Sequence, residues 1–198
     1  LFREQFLKIL AAKPIADPVV AVIYLSLDRY SQIRNNLGLN SANLLLKAVA
    51  VRLKETLGEN ASISRLQADE FVLFISGNSA SLNAAQTCQA ILGKLALPYE
   101  LNQLEVYTTA SLGIGLYPEN GTELEELLDN ARISMLYTRE RGGNNFEFYK
   151  AEKFTRSLEL VKLETSLHHA LERNELEIHY QPQVSIQQGN IVGAEALL

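Results

Sequence analysis

Apolar residues recur at helical spacing at Phe2, Phe6, Ile9 and Leu10, and Lys13-Pro14 closes the run, which predicts a short leading helix. Val19 to Leu27 (VVAVIYLSL) is almost continuously apolar and rich in β-branched residues, the pattern of a strand covered on both faces. Asn40-Ser41 then precede a periodic stretch from Leu44 to Leu57, which Gly58 ends as a helix C-cap would. Ile63 to Leu66 and Phe71 to Ile75 read as two short strands around a polar, acidic turn, Gln67-Ala68-Asp69-Glu70. Further on, Ser81 to Leu95 predicts a helix, Val106 to Tyr117 a strand, Glu123 to Arg139 an amphipathic helix, and Phe146 to Tyr149 a last short strand. The order around the hairpin, β-α-β-β-α-β, predicts an α+β sheet of ferredoxin-like type with its helices packed on one face.

After Tyr149 the pattern changes. Lys150 to Arg173 is highly charged and carries a stripe of Leu158, Leu160, Leu163, Leu167 and Leu171, a helix that either leads into another domain or docks on the preceding core. Glu177 to Val184 and Asn190 to Leu198 read as two strands joined by a glycine-containing turn, and the chain stops with them, as a domain cut short would.

Composition narrows the partners. With 47% hydrophobic and 21% charged residues in 198, the chain can bury enough apolar surface to fold as a globule. A formal net charge of -5 gives no electrostatic drive toward nucleic acid or an anionic membrane, so small ligands and protein partners are expected. The single cysteine, Cys88, has no second cysteine to pair with, which fits a reducing cytoplasm. No apolar run approaches the roughly 20 residues that span a bilayer. Membrane contact by this segment is therefore not expected, and any anchor would lie outside it.

The acidic hairpin Arg65-Leu66-Gln67-Ala68-Asp69-Glu70-Phe71 resembles the signature turn of the GGDEF family, the diguanylate cyclases. Around it, Tyr24-Leu25-Ser26-Leu27-Asp28-Arg29-Tyr30 is similar to the family's metal-site strand and Leu37-Gly38 to the loop after it. Ala110-Ser111-Leu112-Gly113-Ile114-Gly115 with Tyr117-Pro118 is similar to its SIG strand, and Arg139 to Asn144 to its closing KxxGRN segment. A second resemblance follows: Glu175-Leu176, Tyr180-Gln181-Pro182-Gln183-Val184 and Ile191 to Leu197 (IVGAEAL) are similar to the opening of an EAL phosphodiesterase domain. The two resemblances imply a GGDEF domain of nucleotidyl-cyclase fold over residues 1–149, a linker helix over 150–173, and over 174–198 the first strands of a truncated EAL barrel of TIM type.

What the resemblance implies about chemistry is uneven. Cyclisation of GTP uses a divalent metal on carboxylate oxygens. The first family ligand falls on Ser26, a neutral hydroxyl, and the other on Asp69. Asp28 lies on the same side of the strand as Ser26, but about 6 to 7 Å further along, too far to take over unchanged. Guanine-reading positions fall on Arg34, which has donors only, and Asn43, which lacks a charge. Gln67 and Ala68 replace the glycines that admit phosphate closely. A phosphate-binding lysine becomes Arg139 and an arginine becomes Gly143, while the product-inhibition RxxD would fall at Gly58 to Ala61 and matches at neither end. In the EAL segment Glu195 falls on a metal ligand and Gln181 on a substrate contact.

The expected function is cyclic-di-GMP signalling, with a degenerate GGDEF domain regulating an EAL phosphodiesterase that hydrolyses cyclic-di-GMP to pGpG. Alternatives are a dimerisation or interaction scaffold without nucleotide, and a residual cyclase. A complete EAL domain implies Mg²⁺ or Mn²⁺, whereas no cofactor is assigned to the segment itself. Expected partners are GTP or cyclic-di-GMP, other domains of the same polypeptide, and a second copy in a homodimer.

Overall fold

The computed structural model describes residues 2–11, 20–58, 62–76, 80–154, 166–167, 169–170, 173 and 175–197. It divides into two compact units, Leu1–Ala151 and Glu152–Leu198. In the first, helix α1 (Phe2–Ala11) and strand β1 (Val20–Leu27) precede α2 (Tyr30–Leu57), the hairpin β2 (Ser62–Gln67) and β3 (Glu70–Ser76), and α3 (Ala80–Leu95). Next come the small hairpin β4 (Tyr99–Leu101) and β5 (Leu104–Val106), then β6 (Ala110–Tyr117), α4 (Leu124–Glu140) and β7 (Asn145–Phe148).

The main sheet runs β2-β3-β1-β6-β7, with β1 antiparallel to both β3 and β6, and β7 parallel to β6 at one edge. Without β7 this is the predicted β-α-β-β-α-β arrangement. The two helices of that arrangement, α2 and α3, pack on one face as expected, and α1 and α4 cover the other face as well. Ala21, Ile23, Leu25 and Leu27 of β1 join a core with Leu45, Val49 and Leu53 of α2 and Cys88 and Ile91 of α3. Val20, Val22 and Tyr24 pack with Phe6 of α1 and Leu127, Ala131 and Met135 of α4. The physical reason lies in β1 itself: a strand apolar at successive positions must be buried on both sides, since alternate side chains point to opposite faces. All eight of its residues are buried.

Two local expectations are corrected. Helix α2 begins at Tyr30, well before Asn40-Ser41, because Tyr30 is buried and Ile33 and Leu37 pack on the same core. Gly38 (φ 79°, ψ 170°) interrupts it, and glycine alone reaches this backbone without strain. The strand expected from Val106 to Tyr117 is in fact two strands with a break at 107–109, and the first belongs to the β4–β5 hairpin. Its turn, Asn102-Gln103, has positive φ at both residues (51° and 69°), the twist a two-residue hairpin needs.

In the second unit, β8 (His179–Val184) and β9 (Ile191–Leu197) pair antiparallel and place Gln181 directly opposite Glu195. Gly189 turns the chain between them at φ 69°, donating its N–H to the Ser185 carbonyl at 2.8 Å. Most of the linker helix expected over 150–173, and residues 59–61 of the Gly58 to Ala61 segment, lie outside the described residues. Among the described residues no helix is long and apolar enough to cross a membrane.

Candidate functional site: the acidic turn and the end of strand β1

Strand β1 delivers Tyr24, Ser26 and Asp28 to its C-terminal end, and the β2–β3 hairpin lays Asp69 and Glu70 beside them, with Ser26 in register with Glu70. The turn is tight. A bulge between Arg65 and Gln67 twists β2, Ala68 adopts φ 23°, and Arg65 Nε donates to the Ala68 carbonyl at 2.8 Å. A positive φ at a non-glycine residue is unfavourable, so the turn keeps the backbone that glycine would suit while carrying alanine. Gln67 and Ala68 are exposed, and Phe71 anchors the following strand in the core.

The hydroxyls and carboxylates pair off. Ser26, fully buried, donates from Oγ to Asp69 Oδ2 at 2.8 Å. Tyr24 donates from its phenol to Glu70 Oε2 at 2.6 Å. Burial first, and then the bond to the Glu70 carboxylate and its charge, push the Tyr24 phenol well above its ordinary pKa, against a smaller opposing pull from Arg132. Tyr24 is therefore a proton donor at neutral pH.

Asp28 does something else. Its Oδ2 accepts from Thr109 Oγ1 at 2.5 Å and from the Asn144 backbone N–H at 3.0 Å, and its Oδ1 accepts from Ser111 Oγ at 2.7 Å. Its own carbonyl accepts from Thr108 Oγ1 at 2.9 Å. The side chain thus ties the end of β1 to the start of β6 and to the loop after α4, and both of its carboxylate oxygens are engaged in that. The same loop explains Gly143: it sits at φ 68°, and a Cβ there would lie 2.7 Å from Asp28 Oδ2. An arginine at that position does not fit this arrangement.

These residues do not fit a divalent cation. Oxygen-rich sites for Mg²⁺ draw on carboxylates with free lone pairs. Here Ser26 donates its proton to Asp69, and both Asp28 oxygens already accept from neighbouring donors. Among the described residues no group of three or more His, Cys, Asp or Glu side chains could hold a metal ion.

The remaining sequence-selected residues are dispersed. Arg34 and Asn43 are exposed on α2, on either side of the break at Gly38, and Arg139 is an exposed cation in the last turn of α4, where the helix dipole favours it. Two concavities lie nearby. One of about 450 Å³ is lined by Arg29, Gln32, Ile33, Leu37, Leu104 and Tyr107 among others, and the second, of about 360 Å³, by Asp28, Arg29, Tyr107, Thr109, Gly142 and Asn144 among others. None of Ser26, Arg34, Asn43, Asp69 or Arg139 lines either. Sequence reasoning did not single out Tyr24, Thr109 or Ser111 for a role. The available signal was the run of hydroxyl residues Thr108, Thr109 and Ser111 entering a strand opposite Ser26 and Asp28.

The sequence model of the family described as diguanylate cyclase, GGDEF domain, matches residues 1–145. MucR of Pseudomonas aeruginosa, described as a bifunctional diguanylate cyclase/cyclic di-GMP phosphodiesterase, is 34% identical over 182 residues, which cover 92% of this chain and 26% of that protein. NbdA of the same organism, described as a cyclic di-GMP phosphodiesterase, is 31% identical over 197 residues, 100% of this chain and 25% of its own length. The chain thus spans about a quarter of the length of these relatives. The solved structure of an EAL/GGDEF domain protein from M. capsulatus superposes with a TM-score of 0.65 at 31% identity, covering 75% of this chain and 96% of that one.

Proposed function

The chain belongs to the GGDEF domain family, and from that premise we propose that its first unit is a non-synthesising GGDEF domain that regulates a cyclic-di-GMP phosphodiesterase. The single observation that carries this reading is the Ser26 to Asp69 hydrogen bond. In diguanylate synthesis a divalent cation would supply charge neutralisation at the triphosphate and activation of the attacking hydroxyl, worth several kcal/mol. A hydroxyl that donates to the remaining acid supplies neither. Arg34, which offers no acceptor, and Asn43, which carries no charge, are both exposed and support the same conclusion.

The output is assigned to the EAL segment. Gln181 and Glu195, side by side across β8 and β9, are the positions that would contact substrate and bind metal once the rest of the domain is present. Other domains of the same polypeptide are then the partners of residues 1–149, with GTP or cyclic-di-GMP as its candidate ligands, and the linker over 150–173 is the route of coupling.

In the full-length protein carrying Glu195→Ala, any cyclic-di-GMP made from GTP would escape hydrolysis and accumulate. None is expected with Mg²⁺ or Mn²⁺. Wild-type full-length protein is expected to convert cyclic-di-GMP to pGpG, at a rate altered by deletion of residues 1–149. Accumulation of cyclic-di-GMP that Asp69→Ala abolishes would sink the proposal.

A further inference from the structure

Asp69 and Glu70 are consecutive carboxylates at the mouth of one hairpin, each half-buried, an arrangement that repels itself unless something offsets the charge. A bound cation is one solution. In this chain each acid instead receives a proton donor from β1: Ser26 Oγ lies 2.8 Å from Asp69, and the Tyr24 phenol 2.6 Å from Glu70. The two donors are two residues apart on one strand, so they share a face. Tyr24 is 5% exposed and sits in the core between β1 and α4. The backbone adds a third tie, the Leu27 N–H donating to the Asp69 carbonyl at 3.3 Å.

We propose that Tyr24 and Ser26 form a hydroxyl latch that holds the acidic turn closed on β1 without a divalent cation. The latch is a positioning device, and it makes the turn a permanent part of the sheet edge rather than a site completed by an ion. It rests on the reading above only in taking the turn as free of cation chemistry. Turnover assays test that reading, whereas unfolding temperatures test the latch.

The experiment follows thermal unfolding of the full chain in chelator and in millimolar Mg²⁺ or Mn²⁺, for wild type, Tyr24→Phe, Glu70→Ala, the double variant and Asp69→Asn. Wild type is expected to unfold at the same temperature in all conditions. Asp69→Asn, which keeps an acceptor for Ser26, should match it. Tyr24→Phe should lower the midpoint by about 3 °C or more, the shift that loss of one hydrogen bond to a carboxylate produces in a chain of this size. The double variant should lose clearly less than the sum of its parts, because one interaction is being removed twice. The latch is overturned if cations raise the wild-type midpoint and Asp69→Asn abolishes that rise, or if the Tyr24 and Glu70 effects simply add.

Discussion

Asp28 is the residue whose chemistry changes most between sequence and structure. Two residues beyond Ser26, it is too far along the strand to take over a metal position unchanged, and its oxygens accept from Thr109, Ser111 and the Asn144 N–H. Hydrogen bonds to a charged acceptor are worth about 1.5–3 kcal/mol each, and donors left unpaired in a buried place cost a comparable amount. Asp28→Ala is therefore expected to lower the unfolding free energy by about 3 kcal/mol or more, read as a shift of the urea midpoint. A loss below about 1 kcal/mol would mean that the three donors find other partners. Ser26 teaches the complementary lesson. That a neutral hydroxyl stands where a carboxylate was expected is visible in the letters, but its partner lies 43 residues away, and only the register of β1 against β3 brings Asp69 within reach.

At the scale of elements, the packing of α4 on the sheet depends on Gly113 and Gly115 of β6. A Cβ on Gly113 would run into the Ala131 carbonyl and the Met135 nitrogen, and one on Gly115 would come within 2.9 Å of the Leu127 carbonyl. The helix backbone therefore lies directly against the strand, which explains both glycines of the Ser111-Leu112-Gly113-Ile114-Gly115 run. Backbone cannot swing aside as a side chain can, so Gly113→Ala is expected to cost about 3 kcal/mol or more and to expose the α4 face of the sheet. Chemical denaturation and binding of a hydrophobic dye would register both effects, and a wild-type midpoint would refute the close approach. The elements that sequence reasoning misplaced share a cause. The first half of α2 and the β4–β5 hairpin are short and weakly patterned, and they are fixed by packing: Tyr30 in the core on one side, and Tyr99, Leu101 and Val106 on the other.

For the molecule as a whole, buried ionisable groups set the alkaline limit. Burial pushes up the Cys88 thiol, and burial together with Glu70 pushes up the Tyr24 phenol. Tyr99 moves the same way, again through burial, against a smaller pull from Arg52. Each group is neutral when protonated and holds its proton more tightly folded than unfolded. Their stabilisation is thus complete below the ordinary thiol and phenol values, and is lost as pH rises past about 8.5 for the thiol and about 10 for the phenols. The urea midpoint is expected to be flat with respect to these groups from neutral pH to about 8, and to fall progressively through pH 9 to 11. Replacing Cys88 with alanine should remove the earliest part of that fall.

The sequence alone determined the α+β class, the burial of β1 on both faces and the acidic hairpin, because these rest on local periodicity and turn chemistry that neighbours in the chain decide. It also showed a hydroxyl at Ser26 and Gln67 and Ala68 in the turn. The tertiary structure decided which faces the helices cover, that Asp28 is a structural acceptor, and that Tyr24 and Ser26 close on Glu70 and Asp69. Those outcomes depend on strand register and on bonds spanning 43 to 116 residues, and no local pattern encodes which distant donor an oxygen will meet.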